Sequence, residues 1–196
     1  MKIIKYILLI LIIITTTSCY NYLEVNEIAI VEGIAIDYID NKYQVILEII
    51  DIKEENENSY LIESESINLE DAINNIKKLS SKRISMSHLE VLIISKNILN
   101  NHFNNLSTYF INNKDITTNF YLVYSDNPKE IINNKNDNFK INSKTIVDIL
   151  DIEKNNKYRF DYIFTVLNNN KTFKIPYVSL DKNNIKIEKE DYIYEK

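Results

Sequence analysis

Glycine occurs once in 196 residues, and that scarcity excludes more than most residues present imply. Phosphate-cradling loops and the nucleophile elbow need several glycines at fixed spacing, so Gly33 alone supports neither nucleotide chemistry nor an elbow-type hydrolase. Cysteine also occurs once, at Cys19, which rules out an intrachain disulfide. With only two histidines beside it, no cysteine and histidine zinc site is expected, and the metal set is empty. Basic residues number 23 against 28 acidic, for a formal net charge of -5, and no lysine- or arginine-rich run overrides that balance. Nucleic acid is therefore not an expected partner. Tryptophan is absent, and no apolar run reaches the ~20 residues that a bilayer-crossing helix needs. What remains is a chain 45% apolar and 26% charged, long enough for one domain with a real core and too short for two.

The first residues carry the most readable chemistry. Lys2 and Lys5 flank the start of an apolar run over residues 6–14, and Thr15, Thr16, Thr17 and Ser18 then lead into Cys19. Charged, apolar, then small and polar is the order of a secretory signal, which predicts a signal peptide over residues 1–18 and a domain over 19–196. The cysteine stands where such a signal is cut, and the stretch resembles a bacterial lipoprotein signal, in which that cysteine is acylated. Thr16 departs from the leucine usual three residues before the cysteine, so a plain signal peptide is the competing reading. An unpaired exported cysteine favours lipidation of Cys19, since two acyl chains give a stable membrane hold.

Beyond Cys19, strand-like and helix-like patterns alternate. Residues 28–39 are mostly apolar and β-branched, and Tyr43, Val45, Leu47 and Ile49 line one face of a second strand at period two. Asp40, Asn41 and Lys42 make a hairpin link, residues 53–58 an exposed turn, and residues 60–67 a third strand. Asn68 is placed to cap a helix whose apolar stripe is Leu69, Ala72, Ile73, Ile76 and Leu79. Residues 91–94 predict a strand buried on both faces, followed by a helix through Ile98, Leu99, Phe103, Leu106 and Phe110 and a strand over 120–124. Asn127 and Pro128 suit a helix start, Ser143 a cap for a helix to Leu150, and Tyr162, Ile163, Val166 and Leu167 one more helix. Residues 175–180 and 185–194 predict two closing strands, the first at a sheet edge because of Pro176. The sum is an α+β fold: a mixed, largely antiparallel β-sheet with about four flanking helices.

Catalytic constellations do not emerge. Glu54, Glu55 and Glu57, and again Glu188, Glu190 and Asp191, are polar on every side and read as solvated surface. His88 follows Ser85 and Ser87 just before the buried strand; as a base it would activate a serine, whereas as a structural residue it fixes the strand entry by hydrogen bonds. The structural role is the expectation. Gly33, inside an apolar strand, predicts a bulge or a close backbone approach. No catalytic residue and no cofactor site is assigned.

Three stretches resemble the Ger(x)C family of spore germination lipoproteins, in order along the chain. Cys19 with residues 27–37 is similar to that family's opening strand, which ends in a glycine, an apolar triplet and an aspartate. Lys82, Arg83, His88 and the run to Ile94 are similar to its basic pair, histidine and buried strand, and Ile175, Pro176, Tyr177 and Val178 to its late strand. The resemblance runs from about Cys19 to Lys189, the first domain of members that continue into two more, so a short paralogue and a truncated product both stay open. It implies a sheet with flanking helices, and a non-enzymatic subunit anchored to membrane lipid through acylated Cys19. That subunit would lie on the outer face of the cell membrane or spore inner membrane, with membrane-embedded A and B type germinant receptor subunits as partners. A generic exported lipoprotein binding a small ligand or a wall polymer, and an exported hydrolase using His88, are the rival classes.

Overall fold

The computed structural model describes residues 27–51, 58–136, 141–152, 156–169 and 171–194, with Lys5 as an isolated position. The predicted signal peptide, Cys19 and most of the turn over residues 53–58 lie outside the described residues. The chain opens with β1 (Ile28–Ile39), β2 (Lys42–Asp51) and β3 (Asn58–Ser66), an antiparallel meander. Asp40 and Asn41 both take positive φ between β1 and β2, the conformation of a tight hairpin turn that Asp and Asn tolerate well. Helix α1 (Leu69–Leu79) follows, then the short β4 (Arg83–Ser85) and β5 (Val91–Ser95). A π-helical turn (Ile98–His102) leads into α2 (Phe103–Asn112), and β6 (Tyr121–Ser125), α3 (Pro128–Ile132), α4 (Asn142–Asp151) and α5 (Phe160–Asn168) come next. The hairpin of β7 (Phe173–Asp181) and β8 (Asn184–Tyr194) closes the sheet.

The strand order is β3-β2-β1-β5-β6-β7-β8, with β4 beside the first residues of β1. The longest ladders are antiparallel, at the two flanks, while β1, β5, β6 and β7 run parallel through the centre. Helices cover both faces. On one face α1, α2 and α5 bury Ile73, Ile76, Phe103, Leu106, Phe110 and Phe160 against Val31, Ile34, Ile36, Leu47, Leu92 and Leu122. On the other, α3 and α4 bury Ile131, Ile132, Ile146 and Leu150 against Ala35, Ile46, Ile93 and Val123. β5 is buried at all five positions, as a strand covered on both sides requires.

Period two fails once in β1, and the failure is informative. Val31 and Ile34 share a face although three residues apart, because the register shifts between Val31 and Gly33 and leaves Glu32 opposite no partner on β2. A one-residue bulge transfers all later side chains to the other face, and it lets the apolar residues on each side of it meet one core. The same point on the other edge of β1 is where β4 ends and β5 begins, since Ile30 pairs Ser85 and Gly33 pairs Val91.

Three local expectations are corrected. Asn68 stands at the N-cap of α1, but its side chain donates to Asp71 (3.1 Å) and makes no cap bond, whereas Asn127 does accept from the Glu130 amide before Pro128. Ser143 is not a cap; α4 begins one residue earlier, and the acceptor for its first amides comes from β2. Pro176 does not mark an edge, because β7 lies between β6 and β8. The proline falls where the β7–β8 register shifts between Ile175 and Tyr177, and β6 and β7 share a single register pair, Tyr124 with Tyr177. A residue without an N–H is accommodated where the ladder is already interrupted.

Candidate functional site

Of the residues singled out in the sequence, Gly33 has the most constrained position. A Cβ at Gly33 would lie 1.7 Å from Ser143 Oγ and 2.7 Å from Ser143 Cβ, so the start of α4 sits directly on the backbone of β1. Beside it Glu48 on β2 is 1% exposed, and its carboxylate accepts from the amides of Asn142 (3.0 Å) and Ser143 (2.8 Å) and from the hydroxyls of Ser143 and Ser59 (2.8 Å). A carboxylate belongs at a helix N-terminus, where unpaired amides and the helix dipole both favour negative charge. Here it comes from a strand 94 residues away and does what a local cap would do. Asn142 in turn donates to the carbonyls of Ile132 and Asn134, and Asn134 and Asn136 donate to the Asn183 carbonyl in the β7–β8 turn. The polar chain thus joins β2, β3, α3, α4 and the last hairpin.

His88 does not meet the expectation of a hydrogen-bonded strand entry. Its ring is exposed and makes no hydrogen bond among the described residues. Backbone contacts fix the entry instead: Leu89 N to Met86 O, Glu90 N to Glu32 O and Tyr121 N to Glu90 O, at 2.8–3.2 Å. Ser85 Oγ and Ser87 Oγ bond one another at 3.0 Å. His88 opens onto a shallow depression of about 300 Å³ that also includes Asp151. That carboxylate is engaged by the Tyr121 hydroxyl (2.5 Å) and by Arg159 (3.4 Å), whose guanidinium lies 4.1 Å over the Tyr121 ring. Burial, then the bond to Asp151, push the Tyr121 phenol above its ordinary pKa. The groups around His88 therefore hold one another.

An open groove of about 910 Å³ lies between α1 and α2. Its upper end is built by Tyr38 at the end of β1, Tyr43 at the start of β2 and His102 in the π-turn. The Tyr38 and His102 rings lie 3.8 Å apart and tilted by 34°, and the Tyr43 hydroxyl is 3.3 Å from His102 Nδ1. Asn97 donates to the Tyr38 carbonyl at 2.7 Å, which ties the hairpin tip to the helix start. A π-turn adds a residue to the helical circuit, and such turns recur at functional sites. No spacing in the sequence joins Tyr38 and Tyr43 to His102, because the contact bridges 59 residues. Glu70 and Asp71 line the same groove from the first turn of α1, where their charge also suits the helix dipole. Among the described residues no group of three or more His, Cys, Asp or Glu is placed to hold a metal ion.

A search of curated proteins and one of solved structures return no match. A family model does match, the spore germination protein N-terminal domain, over residues 21–180. That span takes in the β1 bulge at Gly33, the β4–β5 break with His88, and β7 with Pro176. The family is not one of known enzymes and has its role in spore germination. The chain belongs to the spore germination protein N-terminal domain family.

Proposed function

We propose that the chain is a lipid-anchored, non-enzymatic subunit of a spore germinant receptor, held through acylated Cys19 and assembled with membrane-embedded A and B type subunits. The observation that carries the reading is the position of the family match, which begins at residue 21, directly behind Cys19 and its charged and apolar leader. A domain whose first described strand begins nine residues after an acylated cysteine is held close to the bilayer surface, and two acyl chains suffice to keep it there. The family is not one of known enzymes, which supports a non-enzymatic role. Among the described residues no helix is long and apolar enough to cross a membrane.

Two measurements test this. Mass spectrometry of the mature protein is expected to find a diacylglyceryl group on Cys19, and Cys19→Ala to shift the protein out of the membrane fraction; an unmodified cysteine in a membrane-bound protein removes the anchor role. Spores carrying Cys19→Ala or lacking the gene are expected to respond weakly to nutrient, read as loss of optical density. An unchanged response sinks the receptor role. The groove between α1 and α2 favours a second reading, an exported lipoprotein binding a small ligand or wall polymer, in which germination is unaffected and a groove substitution such as His102→Ala abolishes binding.

A further inference from the structure

Lys77, Lys82, Arg83 and Lys114 rim a depression of about 570 Å³ at the end of the sheet where β1 begins, with Ile28 in its lining and Asp115 as its one carboxylate. The cluster stands out against a net charge of -5. None of these four cations has an ion pair among the described residues, and the same holds for Lys78, Lys96, Lys135, Lys171 and Lys182, so it is the clustering around one depression that sets them apart. Lys77 lies in the last turn of α1, where a cation complements the helix dipole, but Lys82, Arg83 and Lys114 have no such reason to gather. Leu79, between Lys77 and Lys82 in the chain, is 67% exposed.

The topology brings this pole to one place relative to the start of the chain. Ile28 pairs with Arg83 in the β1–β4 register, and Cys19 precedes Ile28 by nine residues, which fully extended span at most about 30 Å. Resting on the reading of Cys19 as the anchor, we propose that this pole docks on an anionic lipid surface. The four cations take up headgroup phosphates, and Leu79, in the same last turn of α1 as Lys77, is near enough to report the contact. Clustered basic side chains are drawn to an anionic surface, and the attraction fades within a Debye length, so it works only at the pole the tether keeps close.

The test uses the full chain bearing Leu79→Cys, whose thiol carries an environment-sensitive fluorophore, reconstituted into vesicles of phosphatidylcholine alone or mixed with phosphatidylglycerol. Acylation blocks Cys19, so the new thiol is the labelled one. On the anionic vesicles the emission is expected to shift to the blue and to become quenchable by a headgroup-bound quencher, and both effects to reverse in high salt. The pair Lys82→Glu and Arg83→Glu is expected to weaken the interaction at least about tenfold, since each cation near an anionic surface contributes measurably. A probe placed by Ile152→Cys, at a position 82% exposed and outside the depression, is expected to be indifferent to lipid composition. Equal spectra on the two vesicle types, or no effect of the charge reversal, overturn the proposal while leaving the anchor intact. If mass spectrometry finds Cys19 unmodified, the anchor reading fails by itself. Sedimentation of the unlabelled chain with the same two vesicles then decides the surface, binding to the anionic ones supporting it and equal or absent binding overturning it.

Discussion

Gly33 and Glu48 show how two residues can settle the placement of a helix. With Ser143 Oγ only 1.7 Å from where a Cβ would stand, Gly33→Val cannot be absorbed by a side-chain rotation alone, and α4 must move off the sheet. The expected loss is about 1–3 kcal/mol in a denaturant titration, the range of overpacked cores. A loss under about 0.5 kcal/mol would show that the helix yields freely. Glu48→Ala removes the acceptor of two backbone amides and two hydroxyls, and is expected to cost about 3 kcal/mol or more, because buried donors left unpaired retain their full desolvation penalty. His88→Ala, with an exposed ring and backbone bonds fixing its strand entry, is expected to stay within about 0.5 kcal/mol of the parent. The glycine was legible because it is the only one in an apolar strand. Glu48 was not, since a single acidic residue on the less apolar face of β2 reads as solvent-facing until α4 is known to land there. His88 misled for a related reason: a histidine before a buried strand suggests a side-chain role that the backbone of Glu32 and Glu90 already fills.

At the scale of elements, the weakest seam in the sheet lies between β6 and β7. β5 and β6 share five register pairs and β1 and β2 nine, while β6 and β7 share one, beside a proline that offers no amide. Side chains compensate in part: Tyr124 and Tyr177 have ring centroids 5.1 Å apart, and the Tyr177 hydroxyl donates to Asp126 at 2.8 Å. That bond, then burial, push the Tyr177 phenol up to about 12. Hydrogen exchange is therefore expected to protect β1, β2 and β5 most strongly and to release β7 and β8 together at a lower opening free energy. Tyr177→Phe is expected to lower that opening energy further without changing protection in β1; uniform protection across the sheet would count against a seam. Helices and strands themselves were largely legible, because Leu69 to Leu79 and Ile98 to Phe110 keep helical spacing and β2 keeps period two. Cap chemistry was not. Asn68 and Ser143 have the right composition for caps, and the choice of acceptor was made by neighbours distant in the chain.

At the scale of the whole molecule, the order of strands decides which parts can respond to a partner. The sequence pattern predicted the meander and the mixed sheet, but not the parallel centre, because nothing local in Val91 to Ser95 records that it lies beside β1 rather than beside β3. The family resemblance reached further than periodicity, since its three stretches fall at the β1 bulge, the β4–β5 break and the β6–β7 seam, where the regular pattern is interrupted. The placement of β1 has a mechanical consequence. It is the first strand among the described residues, and it lies inside the sheet, bonded to β2 on one edge and to β4 and then β5 on the other. A pull arriving through the residues before Ile28 runs along the strand axis, so against β5 the ladder bonds share the load in shear instead of opening one after another. Pulling a single molecule between residue 27 and Ser95 is expected to need a markedly higher force than pulling between residue 27 and Asp51, whose strand would peel from its end; equal forces would refute the idea. A tug at the start of this chain is thus delivered to the middle of the sheet as a whole, and the domain moves with its leash without unravelling from it.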